Sequence, residues 1–231
     1  MTTLFNYNLD KRTGVIYYPQ KKIIRKFTSN SKNLVLLKNE YKGFNWYQSR
    51  CKIIFKSSSK VINYKKKYID LPIFKGRQNK YWTYLDSNHE DALVVLKHYQ
   101  KAWPNKKLVP SHGDLTFSNI IFRKNNFPVF IDWENFYNLH TWGFDLSYFL
   151  ISTISQPSIF YKDEKIKNSE LLLFENLWKK VFKNKDYTYL KKPVNYLKSR
   201  FGKIFRLRNY ADYYPNQLSS YKINQINEAT Q

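Results

Sequence analysis

Asp114, Asn119 and Asp132 stand in the run SHGDLTFSNIIFRKNNFPVFID, from Ser111 to Asp132, at separations of five and thirteen residues. Phe117, Ile120, Ile121 and Phe122 crowd the first two, and Val129, Phe130 and Ile131 lead into the third. Carboxylates among such neighbours are costly unless a metal, a proton or hydrogen bonds compensate them. The residue types suggest a division of labour. Asp114, at a turn after His112-Gly113, can accept a proton from an attacking hydroxyl. Asn119 offers a neutral carbonyl oxygen to a hard cation, and Asp132, at the end of a strand-like run, offers a charged one. A base and two oxygen ligands at this spacing are what phosphoryl transfer from a magnesium nucleotide requires. Lys124-Asn125-Asn126 is a turn signal between two strands, and would return Asp132 to the side of Asn119.

HGDLTFSN followed by FIDWE resembles the catalytic loop and metal-binding segment of the aminoglycoside phosphotransferase and choline kinase family, relatives of the protein kinases. The spacing is similar to the kinase pattern H-R-D-x-x-x-x-N with its later D-F-G. Gly113 replaces the Arg, and Trp133-Glu134 replaces Phe-Gly, which point to the small-molecule branch. The resemblance implies an α+β, protein-kinase-like fold of two lobes: a small antiparallel-sheet lobe over residues 1–76 and a mainly helical catalytic lobe over 77–231. It implies ATP (or GTP) and Mg2+ as cofactors, Asp114 as the base, and Asn119 and Asp132 as metal ligands. His112 then has a structural role. Asp145, in GFDLSYFL, would brace the catalytic loop. Glu134 is left open between a second metal contact and a solvated acid. Lys26 would contact the nucleotide phosphates, with Glu40 as its ion-pair partner and Arg25 as its rival.

The elements that would position these groups are partly readable. VIYYPQ and KKIIRKF read as two strands around a Pro-Gln turn, and alternation along the second decides whether Lys26 or Arg25 faces the nucleotide. Apolar or aromatic residues at 34, 37, 41, 44 and 47 have helical spacing. Cys51 to Phe55, Lys60 to Tyr64 and Tyr68 to Phe74 read as further strands, giving a β-β-α-β-β order. Asp70 to Gly76 would form the hinge, with Ile24 and Phe74 near the nucleotide ring. A helix is expected from about Asp91 to Trp103, capped by Asp86, Ser87 or Asn88. Further helices are expected at Asp145 to Ser155 and Ser169 to Phe182. From Val194 onward a basic amphipathic stretch reads either as packing on the lobe or as lying on an anionic membrane. The final NQINEATQ reads as frayed. No glycine-rich phosphate loop is present, since Gly14 is the only glycine before Gly43.

The chain has 231 residues, enough for a substantial core, and 19% of them are aromatic. One cysteine, Cys51, excludes an intramolecular disulfide framework. The amino-terminal residues lack a signal-peptide pattern, and no apolar run approaches a membrane span. These features read as a cytoplasmic protein. Forty Lys and Arg against 17 Asp and Glu give a net charge of +23, far beyond what a nucleotide needs. The excess suits an anionic partner such as a phospholipid surface, a charged glycan or nucleic acid. Three function classes follow: a phosphotransferase acting on a small-molecule or glycan hydroxyl, a catalytically silent kinase-like nucleotide-binding protein, and a basic nucleic-acid-binding module. The last leaves the placed acids unexplained. Tyr137, Trp142, Tyr148 and Tyr161 could form an aromatic wall for an acceptor.

Overall fold

The computed structural model describes residues 3–5, 13–56, 63–204 and 217–231. Its architecture is α+β and kinase-like. Strands β1 (Thr3–Phe5), β2 (Gly14–Tyr18), β3 (Ile23–Phe27), β4 (Asn63–Lys65) and β5 (Tyr68–Pro72) form one antiparallel sheet in the order β1-β2-β3-β5-β4. β1 adds a strand that the sequence reading lacked. Between β2 and β3, Pro19 opens a single 3-10 turn that Lys22 closes in the left-handed region, at φ 54°. The β2–β3 register sets Lys26 opposite Val15 and Arg25 opposite Ile16.

Helix α1 (Leu34–Phe55) follows, with the Asn30 side chain accepting the Lys32 N–H just before it. It corrects the expected strand at Cys51–Phe55. Leu37, Phe44, Tyr47, Gln48 and Cys51 are all buried, so the helical rhythm simply continues. Five residues were too few to separate that period from strand alternation. The helix stops at Lys56, which turns left-handed and donates its N–H to Cys51 O. Of the expected strand Lys60–Tyr64, residues 60–62 lie outside the described residues, and the strand seen is β4.

Helix α2 (Leu85–Ala102) begins six residues earlier than expected; of the proposed caps Asp86 accepts the Ser87 N–H, at 2.6 Å, but none of the three meets the first two N–H groups. The Glu170 carboxylate, from helix α4 (Asn168–Phe182), accepts the N–H of Leu85 at 2.6 Å and of Asp86 at 3.1 Å. A cap from 85 residues away is invisible to local pattern reading. Strands β7 (Ile120–Phe122) and β8 (Pro128–Phe130) pair as the expected hairpin, with Asn125 and Asn126 both left-handed in the turn. β6 (Leu108–Ser111) pairs with β9 (Tyr137–Thr141).

Helix α3 (Phe144–Phe160) is buried along most of its length. Helix α5 (Pro193–Ile204) has Val194 and Leu197 fully buried, so the described part of its apolar stripe packs into the core. Phe205 and the basic residues after it lie outside the described residues. The carboxy-terminal segment is not frayed as expected. It forms a helix, Ser220–Glu228, whose Ile226 is fully buried. The Gln225 amide also bonds Ile166 N and O, at 3.0 and 3.1 Å.

The core joins sheet and helices through stacked rings. Tyr47 of α1 stacks on Phe130 of β8, and Trp103, just after α2, stacks on Trp133. Gly43 is required on α1 because a Cβ there would collide with the Trp133 and Phe136 side chains.

Glu170→Ala should lower the unfolding free energy by about 1–2 kcal/mol, as loss of a helix N-cap does. Glu170→Gln, which keeps one acceptor, should cost less. Urea titration measures both, and an unchanged midpoint for the alanine variant would remove Glu170 as the cap of α2.

Candidate active site

Strand alternation decides between the two basic residues of β3. Arg25 turns to Asp70 on β5 and binds it through two hydrogen bonds, of 2.7 and 2.9 Å, with Tyr68 beneath its guanidinium. Lys26 faces the other way. Its ammonium lies 2.9 Å from Glu40 on α1, 2.6 Å from Asp132 and 3.4 Å from Glu134. Burial alone would lower the Lys26 pKa. The charges of Asp132, Glu40 and Glu134 outweigh it and hold the ammonium well above its usual range. Glu40 moves up to about 7, chiefly by burial, against the pull of Lys26. Its Oε1 is buried with no hydrogen-bond partner.

Local chain geometry explains how two acids separated by one residue reach the same ammonium. Asp132 sits in the left-handed region at φ 64°, an unfavoured place for a residue with a Cβ. Trp133 is driven into the core and donates from Nε1 to Phe130 O at 3.0 Å. The chain therefore passes over the buried ring and presents Asp132 and Glu134 on the same side. Thr13, just before β2, donates its hydroxyl to Glu134 Oε1 at 2.8 Å, and the Asn39 amide reaches Glu134 O at 3.2 Å. Neither contact has a sequence signal: Thr13 lies 121 residues from its partner.

The residues of the loop from His112 to Asn119 form an adjoining group. Both oxygens of buried Asp145 accept backbone N–H groups, from His112 and Gly113, each at 2.9 Å. Burial raises the Asp145 carboxyl to about 7, although these two donors favour its charged form. Gly113 has φ +84°, and a Cβ there would strike Asn135 O, so the residue after the histidine must be glycine. His112 Nε2 lies 2.8 Å from Ile131 O, and its Nδ1 accepts the Asp114 N–H at 3.3 Å. That pattern suits a neutral ring protonated on Nε2, and burial pushes its pKa down to about 4. Asn119 donates to Asp114 O at 2.7 Å, which orients the amide and leaves its carbonyl oxygen as the ligand-capable end. Tyr148 on α3 donates its hydroxyl to Asp114 Oδ1 at 3.0 Å.

Ile131 joins the two groups. Its carbonyl meets His112, and its N–H donates to Asn119 O at 2.9 Å. The hairpin thus brings Asn119 beside the approach to Asp132, as its turn signal implied. Among the described residues, the acids able to share a cation are Glu40, Asp132 and Glu134, whose ligand atoms all lie within 4.8 Å of one another. Glu134 is therefore a buried member of the cluster and not a solvated acid.

The expected aromatic wall is not assembled. Tyr148 touches Asp114, whereas Trp142 is buried near Phe182 and Tyr161 stacks on Tyr84 beyond the end of α3. Phe74 packs its ring beside Phe44 of α1.

Residues 65–165 match the family model of the phosphotransferase enzyme family. The matched stretch contains Asp114, Asn119, Asp132, Glu134 and Asp145, while Lys26 and Glu40 lie before it. No curated protein matches the chain.

His98 accompanies His112 as a buried imidazole, pushed down to about 3 by burial beside Phe55 and Tyr47. Both rings contribute stability that is complete above their unfolded value of about 6.5. It is lost as the pH falls through their folded values of about 4 and about 3. Asp145 and Glu40, with raised values, act in the opposite sense over part of this range, so ring protonation is a cleaner readout than total stability. NMR of the imidazole nitrogens at about pH 5 should find both rings neutral. A protonated His112 there would contradict its hydrogen-bond pattern.

Proposed function

We propose that this chain, whose residues 65–165 carry the phosphotransferase-family match, moves the γ-phosphoryl group of ATP or GTP to a hydroxyl of a small molecule or glycan. The observation that carries the reading is the buried Lys26 ammonium held by Glu40, Asp132 and Glu134 beside a braced loop that presents Asp114. The nucleotide would lie between residues 1–76 and 77–231, with its phosphates toward Lys26.

The chemistry follows from these positions. Asp114, oriented by Tyr148, would accept the proton of the attacking hydroxyl as its oxygen bonds to the γ-phosphorus and the bond to the β–γ bridging oxygen breaks, with the nucleoside diphosphate leaving. Lys26 provides fixed positive charge for the phosphate oxygens. Asp145 and Gly113 hold the loop so that Asp114 needs no rearrangement to act. The donor set suits magnesium. Three carboxylates oppose a single ammonium, the Glu40 Oε1 is unpartnered, and oxygen ligands of this kind bind hard cations. Asp132 would hold the ion, with Asn119 and Glu134 as further ligands, and the ion would supply neutralising charge to the phosphates.

Asp114→Ala should reduce turnover by about 10²–10⁴-fold, the usual contribution of a positioned base, while the thermal shift produced by magnesium and ATP persists. Asp132→Ala should abolish that metal-dependent shift. A panel of hydroxyl acceptors with labelled ATP measures transfer. Wild-type protein that binds magnesium nucleotide but phosphorylates no acceptor would support the silent nucleotide-binding reading. Unchanged turnover in Asp114→Ala would remove that residue as the base.

A further inference from the structure

Beyond the far end of α3, five aromatic rings from two segments form one continuous patch. Trp82 stacks on Phe160 at 5.0 Å and 13°, and Tyr84 stacks on Tyr161 at 5.5 Å and 14°. Tyr81 meets Trp82 and Phe160 edge-on, and Phe160 meets Tyr161 in the same way. Rings in a cluster of this kind are normally hidden, yet Tyr81, Phe160 and Tyr161 are 41%, 47% and 50% exposed. Exposed lysines surround them. Lys80 lies over Trp82, Lys167 lies over Tyr84 at 3.7 Å, and Lys162 and Lys165 follow Tyr161 in the chain. Of the acids nearby, Asp163 is engaged by the Tyr84 hydroxyl and Glu170 by the first N–H groups of α2, whereas Asp86 and Glu164 are exposed.

We propose that this patch docks the protein on an anionic lipid surface. The ring geometry selects that partner over a sugar or a nucleic-acid base. Both of those stack on a free aromatic face, whereas Trp82 and Tyr84 each have a neighbouring ring stacked on them and a lysine ammonium over the ring. The exposed part of the patch is Tyr81, Phe160 and Tyr161, with lysines around them. That combination suits the headgroup region of a bilayer, where amphipathic rings settle and lysines meet acidic lipids. The overall charge of +23 draws the chain toward such a surface.

No helix among the described residues is long and apolar enough to cross a membrane, so contact of this kind is peripheral. The apolar residues Val194 and Leu197, which the sequence reading offered to a membrane as one alternative, are buried in the core. The aromatic patch takes that role instead, and it does so whether or not the protein transfers phosphate. Helix α3 links it to the candidate active site. Tyr148 touches Asp114, and Phe160 lies twelve residues on, or ~18 Å at the helical rise. Docking would hold the catalytic loop near the headgroups.

The test is co-sedimentation of the full chain with vesicles of phosphatidylcholine alone and of phosphatidylcholine mixed with phosphatidylglycerol. Wild-type protein should prefer the mixed vesicles. The triple variant Tyr81→Ser/Phe160→Ser/Tyr161→Ser keeps every lysine and should bind them at least about tenfold more weakly, with an unchanged far-ultraviolet circular dichroism spectrum and a cooperative thermal transition. Equal binding by variant and wild type would assign the affinity to the basic surface at large and overturn the proposal. So would wild-type protein that ignores vesicles, including one whose rings respond instead to an oligosaccharide or an oligonucleotide. If the triple variant fails to fold, nitroxide-labelled lipid provides a second reading. It should quench the part of the wild-type tryptophan fluorescence that Trp82→Phe removes, and absence of quenching also overturns the proposal.

Discussion

The Lys26 ammonium and its three carboxylates form the contact on which the surrounding geometry depends. A buried ammonium without partners is strongly unfavourable, and so are the buried carboxylates of Glu40 and Glu134, while Asp132 is only half-buried. The four groups come from separate places: β3, the middle of α1, and the short turn after β8. Their mutual satisfaction requires β3 to expose its even-numbered face to the site, α1 to turn Glu40 inward, and the chain at Asp132 to adopt a left-handed backbone. Breaking the group leaves uncompensated charge in a buried place, which is worse than never having formed it. The cluster therefore holds sheet, helix and hairpin in register, and the same arrangement creates the excess negative charge that would attract a cation.

The distribution of acids sharpens this point. The chain has only 17 Asp and Glu, and many have a structural or site position. Glu40, Asp132 and Glu134 surround Lys26; Asp145 braces the loop at His112 and Gly113; Asp114 is held by Tyr148. Asp70 and Asp91 bind Arg25 and Arg77, and Glu170 caps α2. About half of the acids thus meet a specific donor, and on the remaining surface lysine outnumbers acid. The result is a locally negative cluster in a strongly basic protein. Long-range attraction would draw an anionic ligand toward the molecule, and its close approach to this cluster would need Lys26 and a cation to offset the carboxylates.

The parts of this arrangement that were legible in the sequence are those fixed by short-range spacing. Asp114, Asn119 and Asp132 lie on one loop and one hairpin, so their separations carry their geometry. Gly113 and Asp145 were readable by resemblance for the same reason. Partners from distant segments were not. Arg25 and Lys26 are neighbours with similar chemistry, and only the position of Asp70, 45 residues on, shows which one leaves the site. The α2 cap comes from Glu170, and Thr13 meets Glu134 from the opposite end of the chain. Cys51–Phe55 failed differently, because a short apolar run fits two periods until the length of α1 decides between them. The aromatic residues were numerous enough that composition could not assign them to walls, stacks or patches.

Trp133 shows why a residue between two site acids can matter as much as the acids. The left-handed conformation of Asp132 costs about 1–2 kcal/mol for an L-residue. Burying an indole removes roughly 150–250 Å² from water. At about 25 cal/mol per Å² that amounts to ~4–6 kcal/mol, before the Nε1 hydrogen bond to Phe130 O is considered. Ring burial therefore outweighs the backbone strain. A polar or small residue at 133 would remove the term that holds the turn in place, and Asp132 could relax toward an ordinary extended backbone away from Lys26. The close approach of Trp133 to Gly43 carries the same constraint onto α1, where Glu40 lies one turn earlier. The indole thus fixes the separation between the helix acid and the turn acids, and the geometry of the charged cluster rests on an apolar contact.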